Sequence, residues 1–297
     1  MPSESRPGTP DLPVPARLFL TSGTLLFAEL LLIRWIPANV VYVGFFNNLI
    51  LIASFLGIGV GILLGRGGRL PGWPLSNLLL FALAVLVYLG QVNSTVTSDR
   101  ALFLGAPEHT EIGINVLALA AYFALTAALM AVLALPLGPL LRALPPLRAY
   151  AIDIAGSLAG IAVFAALSAL ATPPFAWFII LGALLLYLRG RRPITTRATL
   201  GGVAMAAVVA LSFVSYARGD LYSPYYRINV HMDESGTEQV SVNGIGHQAL
   251  AAAASPGKGP FYDQVYAWFP ERRFERALII GAGTGTDVAV ALAHGVS

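Results

Sequence analysis

Seven apolar runs, most of them long enough to cross or nearly cross a bilayer, fill the chain from Leu18 to Val214 and constrain its fold more than any other feature. An α-helix needs about 20 apolar residues to span the hydrocarbon core. Only 11% of the chain is charged, against about 25% in soluble domains. The sequence therefore predicts a multi-pass α-helical membrane domain of about seven helices over residues 17–217, in contact with a lipid bilayer. The predicted spans are Leu18–Ile36, Phe45–Leu64, Leu75–Leu89, Ile112–Leu135, Tyr150–Leu170, Phe175–Leu188 and Leu200–Val214.

The remaining parts of the chain differ in composition. Residues 1–16 are rich in Pro and Ser and are predicted to be a disordered lead. Residues from 220 onward have ordinary soluble composition, which predicts a small β domain over 220–259 and a further domain beginning at 260. The absence of cysteine, with four scattered histidines, predicts no metal site. The arginines lie in short gaps between apolar runs, so we expect no nucleic-acid partner.

The arginine positions also predict an orientation. Lys and Arg accumulate in cytoplasmic loops, and here they flank alternate gaps between the apolar runs. This places the amino terminus in the cytoplasm. Seven full crossings would then put the soluble segment outside, where an adenosine-type cofactor is not normally available. We therefore expect a cytoplasmic soluble segment and a re-entrant or interfacial seventh run, over Leu200–Val214.

Glycines and ionisable residues mark the predicted spans. Gly57, Gly61 and Gly65, and separately Gly156 and Gly160, recur every four residues, which predicts close helix packing. Charge within a span is costly and often functional, which makes Glu29, Arg34 and Asp153 candidate intramembrane functional residues. Glu29 lies mid-span and is the strongest of them. Arg34 could reach the headgroups, and Asp153 could interact with its helix dipole.

The soluble segment begins with alternating residues around Tyr226–Val230, which predict a strand. A second strand is expected over Gln239–Val242, then a turn at Asn243–Gly244, a small-residue loop over Ala249–Gly259 and a short helix over Phe261–Phe269. Next, an apolar strand-like run leads into Gly281-Ala282-Gly283-Thr284-Gly285. A helix should follow, capped by Thr286 or Asp287 and ending at Gly295.

This strand–loop–helix is typical of the first unit of a Rossmann-like fold. Its glycines occupy relative positions one, three and five, whereas a dinucleotide site has its third glycine at position six. The spacing therefore favours an S-adenosylmethionine-type cofactor over NAD or FAD. The predicted cofactor-binding residues are Gly281, Ala282, Gly283, Thr284 and Gly285.

Taken together, the parts resemble the membrane-fused bacterial branch of the spermidine synthases, or polyamine aminopropyltransferases. The segments that carry the resemblance are SPYYRINV, VNGIGHQ, FYDQVYAWFP and ALIIGAGTGTDVAVALAHG, with Glu29–Arg34 and Tyr150–Gly160 in the membrane domain. The resemblance implies decarboxylated S-adenosylmethionine or S-adenosylmethionine as co-substrate, a polyamine such as putrescine as acceptor, and no metal. It implies substrate-side roles for Tyr226, Gln248, Tyr262 and Asp263, and a location in the bacterial inner membrane.

Several positions depart from the family pattern. Tyr226 stands where the family has Gln, and Gln248 lies one position beyond the family glutamine, where His247 stands instead. A methyltransferase-like protein is therefore an alternative. The family's catalytic acid lies on a later loop, so we expect no catalytic residue within this chain and interpret it as an inactive amino-terminal fragment. A transporter using Glu29, Arg34 and Asp153, or a structural anchor, remain alternatives, and a homo-oligomer is compatible with all of them.

Overall fold

The computed structural model describes residues 12–44, 46, 48–65, 73–93, 116–190, 195–232, 238–250, 252–255 and 259–296. The chain divides into two compact units. The first comprises residues 1–95 and 111–226, and the second comprises residues 96–110 and 227–297.

The described part of the first unit is mostly helical. Its helices are α1 (Val14–Asn39), α2 (Val41–Gly44), α3 (Leu49–Leu64), α4 (Trp73–Asn93), α5 (Val116–Ala134), α6 (Leu137–Arg142), α7 (Pro146–Ala169), α8 (Pro174–Arg189) and α9 (Thr196–Ala217).

Four helical stretches are long and apolar enough to cross a membrane: Val14–Asn39, Val116–Arg142, Pro146–Ala169 and Thr196–Ala217. Three shorter apolar helices cover Leu49–Leu64, Pro74–Gly90 and Pro174–Arg189. Large apolar side chains also face outward, as at Leu117, Leu158 and Val203, which are 81%, 59% and 62% exposed. Exposed apolar surface of this extent is typical of a lipid-facing bundle. The prediction of an α-helical membrane protein agrees with these features.

Helix α9 differs from the weak seventh span expected from the sequence. It has 22 residues and is among the four stretches long enough to cross. The side chain of Thr195 caps it by accepting a hydrogen bond from the backbone N–H of Ala198, at 3.3 Å. Such a cap stabilises the first turn, so the helix begins before the apolar run does. The length and composition of α9 therefore do not support a re-entrant segment.

Two pairs of helices pack in parallel through glycines. A Cβ at Gly156 would collide with the backbone of Phe19, and one at Gly160 with the backbone of Gly23. Residue numbers increase in the same direction along this contact, so α1 and α7 are parallel. In the same way, Gly57 faces Ala127 and Gly61 faces Ala131, so α3 and α5 are parallel. Small residues permit such close approach in membranes. The predicted packing role of both glycine series is therefore confirmed.

Other contacts fix the directions of the remaining helices. Asn77 Nδ2 donates to the carbonyl of Gly201 at 3.0 Å, and Arg218 donates to the hydroxyl of Tyr88 at 3.1 Å, so α4 and α9 are parallel. The Tyr122 hydroxyl, near the start of α5, donates to the carbonyl of Leu86, near the end of α4, at 2.8 Å. These two helices are therefore antiparallel.

The last two directions follow similarly. Gly90, near the end of α4, lies against Val40, just beyond the end of α1, so α1 and α4 point the same way. Phe175, at the start of α8, packs on Phe213, near the end of α9, with ring centroids 5.4 Å apart. Helix α8 is therefore antiparallel to α9. Helices α1, α3, α4, α5, α7, α8 and α9 consequently alternate in direction, and α1 begins at the end of the bundle opposite to the one at which α9 finishes.

A small antiparallel sheet of four strands follows, in the order β1 (Leu221–Tyr222), β2 (Arg227–Met232), β3 (Glu238–Val242) and β4 (Ile245–Leu250). Strands β3 and β4 are joined by Asn243 and Gly244, which have φ of 53° and 78°. Two consecutive positive φ values are typical of the tight hairpin turn that Asn-Gly favours. The predicted strands and turn are confirmed. Strand β4 was not predicted.

The rest of the second unit contains a 3-10 turn (Pro260–Tyr262), α10 (Gln264–Trp268) and α11 (Thr286–Ala293). The predicted strand before the glycine loop is absent: residues 276–280 form no strand, and Leu278 and Ile280 are 88% and 89% exposed. A strand exists only when a neighbouring strand completes its hydrogen bonds. No such neighbour lies beside this run within the described ranges, so the Rossmann-like part of the prediction is not confirmed.

Candidate functional site

Three glycines of the predicted cofactor loop adopt left-handed backbone conformations. Gly281, Gly283 and Gly285 have φ of 70°, 53° and 87°. The backbone N–H of Gly285 donates to the carbonyl of Ala282 at 2.8 Å, which closes the turn. Only glycine adopts such angles without strain. The glycines are therefore required by the shape of the loop itself.

Helix α11 begins directly after this loop, as predicted, but its cap differs. Gly285 is the N-cap residue, and no side chain caps the helix. Thr286 is instead the first helical residue and is buried, with its hydroxyl 3.5 Å from the carbonyl oxygen of Ala249. Neither Thr286 nor Asp287 is the cap, because the left-handed conformation at the cap position requires glycine.

Gln248 lies in direct contact with the loop. Its Oε1 accepts a hydrogen bond from the backbone N–H of Thr284 at 2.8 Å. The Thr284 hydroxyl donates to the carbonyl of the next residue, Ala249, at 3.2 Å. A Cβ at Gly283 would collide with the carboxamide of Gln248. The structure thus brings together a predicted substrate-side residue and the predicted cofactor loop.

A β-bulge in β4 lies directly before Gln248, the residue that stands one position beyond the glutamine expected from the resemblance. Val240 pairs with Gln248, but the next residue, Ser241, pairs with Gly246, so His247 is the extra residue of β4. A bulge of this kind absorbs one extra residue and changes the direction of the side chains beyond it. His247 is exposed, whereas Gln248 is half-buried against the loop.

Tyr262 lies against the first turn of α11. Its phenol is hydrogen-bonded to the Thr286 hydroxyl and lies close to the carboxylate of Asp287. Burial raises the pKa of the Tyr262 phenol, and the negative charge of Asp287 raises it further, while the hydrogen bond from Thr286 acts in the opposite direction. The phenol is therefore a proton donor at neutral pH.

Asp263 contacts a residue that the sequence did not single out. Its Oδ1 lies 3.5 Å from Nε2 of His294, and both side chains are about two-fifths exposed, at 39% and 42%. The His294 ring also stacks on Tyr266, with centroids 3.9 Å apart and planes at 8°. No local spacing in the sequence signals this contact, because Asp263 and His294 are 31 residues apart.

Tyr226 is the last residue of the first unit. Its side chain is 52% exposed, and its backbone N–H donates to the Ser223 hydroxyl at 2.8 Å. Its carbonyl accepts a hydrogen bond from the backbone N–H of Ser223 at 2.9 Å. These contacts close a local turn and assign Tyr226 no ligand.

Among the intramembrane candidates, Glu29 is the most deeply buried, with 3% of its surface exposed in the middle of α1. Its Oε2 has no hydrogen-bond partner within the described part of the chain. A buried polar atom without a partner is costly. Such an atom in a native structure calls for an explanation, such as a functional role or a bound water or ion.

Arg34 and Asp153 both have partners, and these link helices. Arg34 donates to the Ser168 hydroxyl at the end of α7 and to the Ser223 carbonyl, and its guanidinium lies 4.9 Å from the ring centroid of Trp177. Asp153 accepts a hydrogen bond from the Ser22 hydroxyl at 2.5 Å. Both residues therefore fasten α1 to its neighbours. Glu29 and Arg34 do not pair, as their helical spacing predicts.

Comparison with protein-family models, with curated proteins and with solved structures finds no significant match to this chain.

Proposed function

We propose that this chain belongs to an integral membrane protein whose second unit binds an S-adenosyl-type nucleoside at the loop Gly281–Gly285. In its most specific form, the proposal is a spermidine synthase-like aminopropyltransferase. The observation that supports it best is the Thr284 N–H, which donates to a side-chain carboxamide oxygen at the mouth of the loop. A hydroxyl oxygen or ring nitrogen of a nucleoside would accept the same hydrogen bond.

The residues around the loop suit such a ligand. Three residues of the loop are glycines and carry no Cβ atom, so a ligand can approach the backbone N–H groups of the loop closely. The first turn of α11 follows at once, and a helix N-terminus favours negative partial charge. Gln248 would either move aside for the ligand or exchange its bond with Thr284 for one with the ligand.

The chemistry of aminopropyl transfer is a single displacement. Decarboxylated S-adenosylmethionine supplies an aminopropyl carbon activated by a sulfonium. An acceptor amine forms a C–N bond to that carbon, the C–S bond breaks, methylthioadenosine leaves, and the new ammonium gives its proton to a base.

Two carboxylates support the choice of an amine as acceptor. Asp263 and Asp287 flank Tyr262, and the phenol of Tyr262 remains a neutral donor. A polyamine is a cation at neutral pH and is attracted by neighbouring carboxylates. We assign Tyr262, Asp263 and Asp287 to positioning the amine.

The test is nucleoside binding by the whole chain in lipid nanodiscs. Titration calorimetry would be run with S-adenosylmethionine, its decarboxylated form and methylthioadenosine. Gly285→Ala should weaken binding at least ten-fold, whereas Gly295→Ala should leave it unchanged. Both glycines have positive φ and open space around the missing Cβ, but only Gly285 belongs to the loop. No binding of any of the three, or equal losses in both variants, would refute the proposal.

A second function is favoured by Glu29. A deeply buried carboxyl with an unpaired oxygen in the middle of α1 is the kind of group through which transporters bind protons or cations. The test is uptake of labelled putrescine and spermidine into proteoliposomes under an imposed pH gradient. Glu29→Gln should abolish uptake, and Glu238→Gln, on β3, should not. Equal uptake by Glu29→Gln and the unaltered chain would remove this role.

A further inference from the structure

The alternating helices place most of the arginines of the bundle at one end. Helices α1, α7 and α9 begin at this end, and α8 and the α5–α6 stretch finish there. We call it the arginine end, and within the described ranges its arginines are Arg17, Arg142, Arg148, Arg189 and Arg197.

The opposite end of the bundle has two described arginines, Arg34 and Arg218, against five at the arginine end.

The two ends also differ in what their arginines contact. Arg142, Arg148 and Arg197 are exposed at the arginine end. At the other end, Arg34 is held by Ser168 and the Trp177 ring, and Arg218 lies over the Tyr88 ring, 5.5 Å from its centroid. Among the described residues, three exposed arginines therefore lie at the arginine end, and one, Arg218, lies at the other.

Anionic phospholipid headgroups are the partner that this surface fits. The cytoplasmic leaflet is negatively charged, and it attracts Lys and Arg side chains that lie near its surface. The same charges bias which loops stay in the cytoplasm during insertion. Guanidinium groups bind phosphate oxygens in pairs, so they match this partner in geometry as well as in charge.

We propose that the arginine end of the bundle docks on anionic phospholipid headgroups of the cytoplasmic leaflet, and that α9 therefore delivers the chain to the opposite, non-cytoplasmic face. This orientation follows from the alternation of the helices and from the arginines. It does not rest on the proposed nucleoside site.

The chain has no cysteine, so single cysteines report the side of the membrane directly. Ala143→Cys lies between α6 and α7 at the arginine end, and Tyr225→Cys lies beyond α9, where Tyr225 is 79% exposed. In cells with a permeabilised outer envelope but an intact inner membrane, a membrane-impermeant maleimide should label Tyr225→Cys. Ala143→Cys should react only after the membrane is disrupted. Labelling of both positions from one side, or the reverse assignment, would overturn the orientation.

A charge variant tests the partner. Arg142→Gln, Arg148→Gln and Arg197→Gln combined should give mixed labelling of Tyr225→Cys, whereas Arg218→Gln should leave its labelling one-sided. In purified nanodiscs, phosphatidylglycerol should raise the Tm of the unaltered chain relative to phosphatidylcholine, and the triple variant should lose most of that rise. A Tm that is equal in the two lipids would assign the arginines to something other than lipid and refute the docking. Neither measurement uses a nucleoside, so failure of the proposed function would leave these results unchanged.

Discussion

Oε1 of Gln248 accepts a hydrogen bond from the backbone N–H of Thr284 at 2.8 Å, across the gap between β4 and the glycine loop. The contact joins residues 36 positions apart and fills the space in front of Gly283. The donor that a ligand would use is therefore already satisfied by the protein. Any ligand of this loop competes with Gln248 or binds together with it.

Gln248→Ala should expose the Thr284 amide. Removing one hydrogen bond of this kind costs about 1 kcal/mol, which corresponds to about five-fold faster amide exchange. Hydrogen exchange read by mass spectrometry over the peptide containing Thr284 measures it. His247→Ala is the matched control and should leave exchange at Thr284 unchanged, because Gln248 is the residue that accepts the hydrogen bond from the Thr284 N–H. The opposite pattern would show that His247 contacts the loop.

Gly57→Ala should destabilise the bundle. The new Cβ would press on the Ala127 carbonyl and lie 2.8 Å from the Met130 Cβ. Overpacking of this kind typically costs about 1–3 kcal/mol. Gly59 lies in the same helix, where an added Cβ would meet nothing within 4 Å, so Gly59→Ala is the control. Thermal unfolding in detergent would compare the two, and equal stabilities would contradict the α3–α5 packing.

Arg34→Lys should also lower stability. A lysine cannot reach both the Ser168 hydroxyl and the Ser223 carbonyl while lying over the Trp177 ring, because it lacks the planar, forked guanidinium. We expect a loss of about 2 kcal/mol, typical of hydrogen bonds to charged groups. Ser168→Ala should reproduce part of the loss. In the double variant, the two losses should not add, since they remove the same interaction. Strict additivity would show that Arg34 acts elsewhere.

Tyr262 should ionise above the ordinary tyrosine range. Its raised pKa means that the folded state favours the neutral phenol. The stabilisation is fully present below the ordinary pKa of about 10 and is lost as the pH rises through the folded-state value. The ultraviolet absorbance of the unaltered chain minus that of Tyr262→Phe isolates this titration. Asp287→Asn should move it to lower pH, since a like charge is removed, and a shift to higher pH would contradict the contact.

The sequence was sufficient to predict the helical part of the fold. Apolar runs and glycine spacing act locally, and both the helices and the Gly57 and Gly61 contacts appear where expected. The directions of the helices required the structure, since they depend on pairs such as Asn77 and Gly201 that are far apart in sequence. The extent of α9 was underestimated because the Thr195 cap, not hydropathy, sets its start.

The candidate site was predictable only in part. The glycine loop and the start of α11 were predicted from the local sequence pattern. The turn at Asn243–Gly244 was also predicted, but β4, the strand that follows it, was not. The bulge at His247 depends on pairing with β3, so no local signal places Gln248 against Thr284. The strand predicted before the loop is not observed, because local propensity alone does not form a strand. Leu278 and Ile280 remain exposed, and no neighbouring strand lies beside them among the described residues.

The parallel contact of α1 with α7 has a consequence for biogenesis. Helix α1 is synthesised first, yet the glycine surface that receives Gly23 belongs to the fifth of the seven alternating helices. At roughly 5–20 residues per second, the ribosome needs on the order of ten seconds to make the intervening chain. Throughout that interval, the α1 surface around Phe19 and Gly23 lacks its final helix partner, so the α1–α7 contact forms late in synthesis.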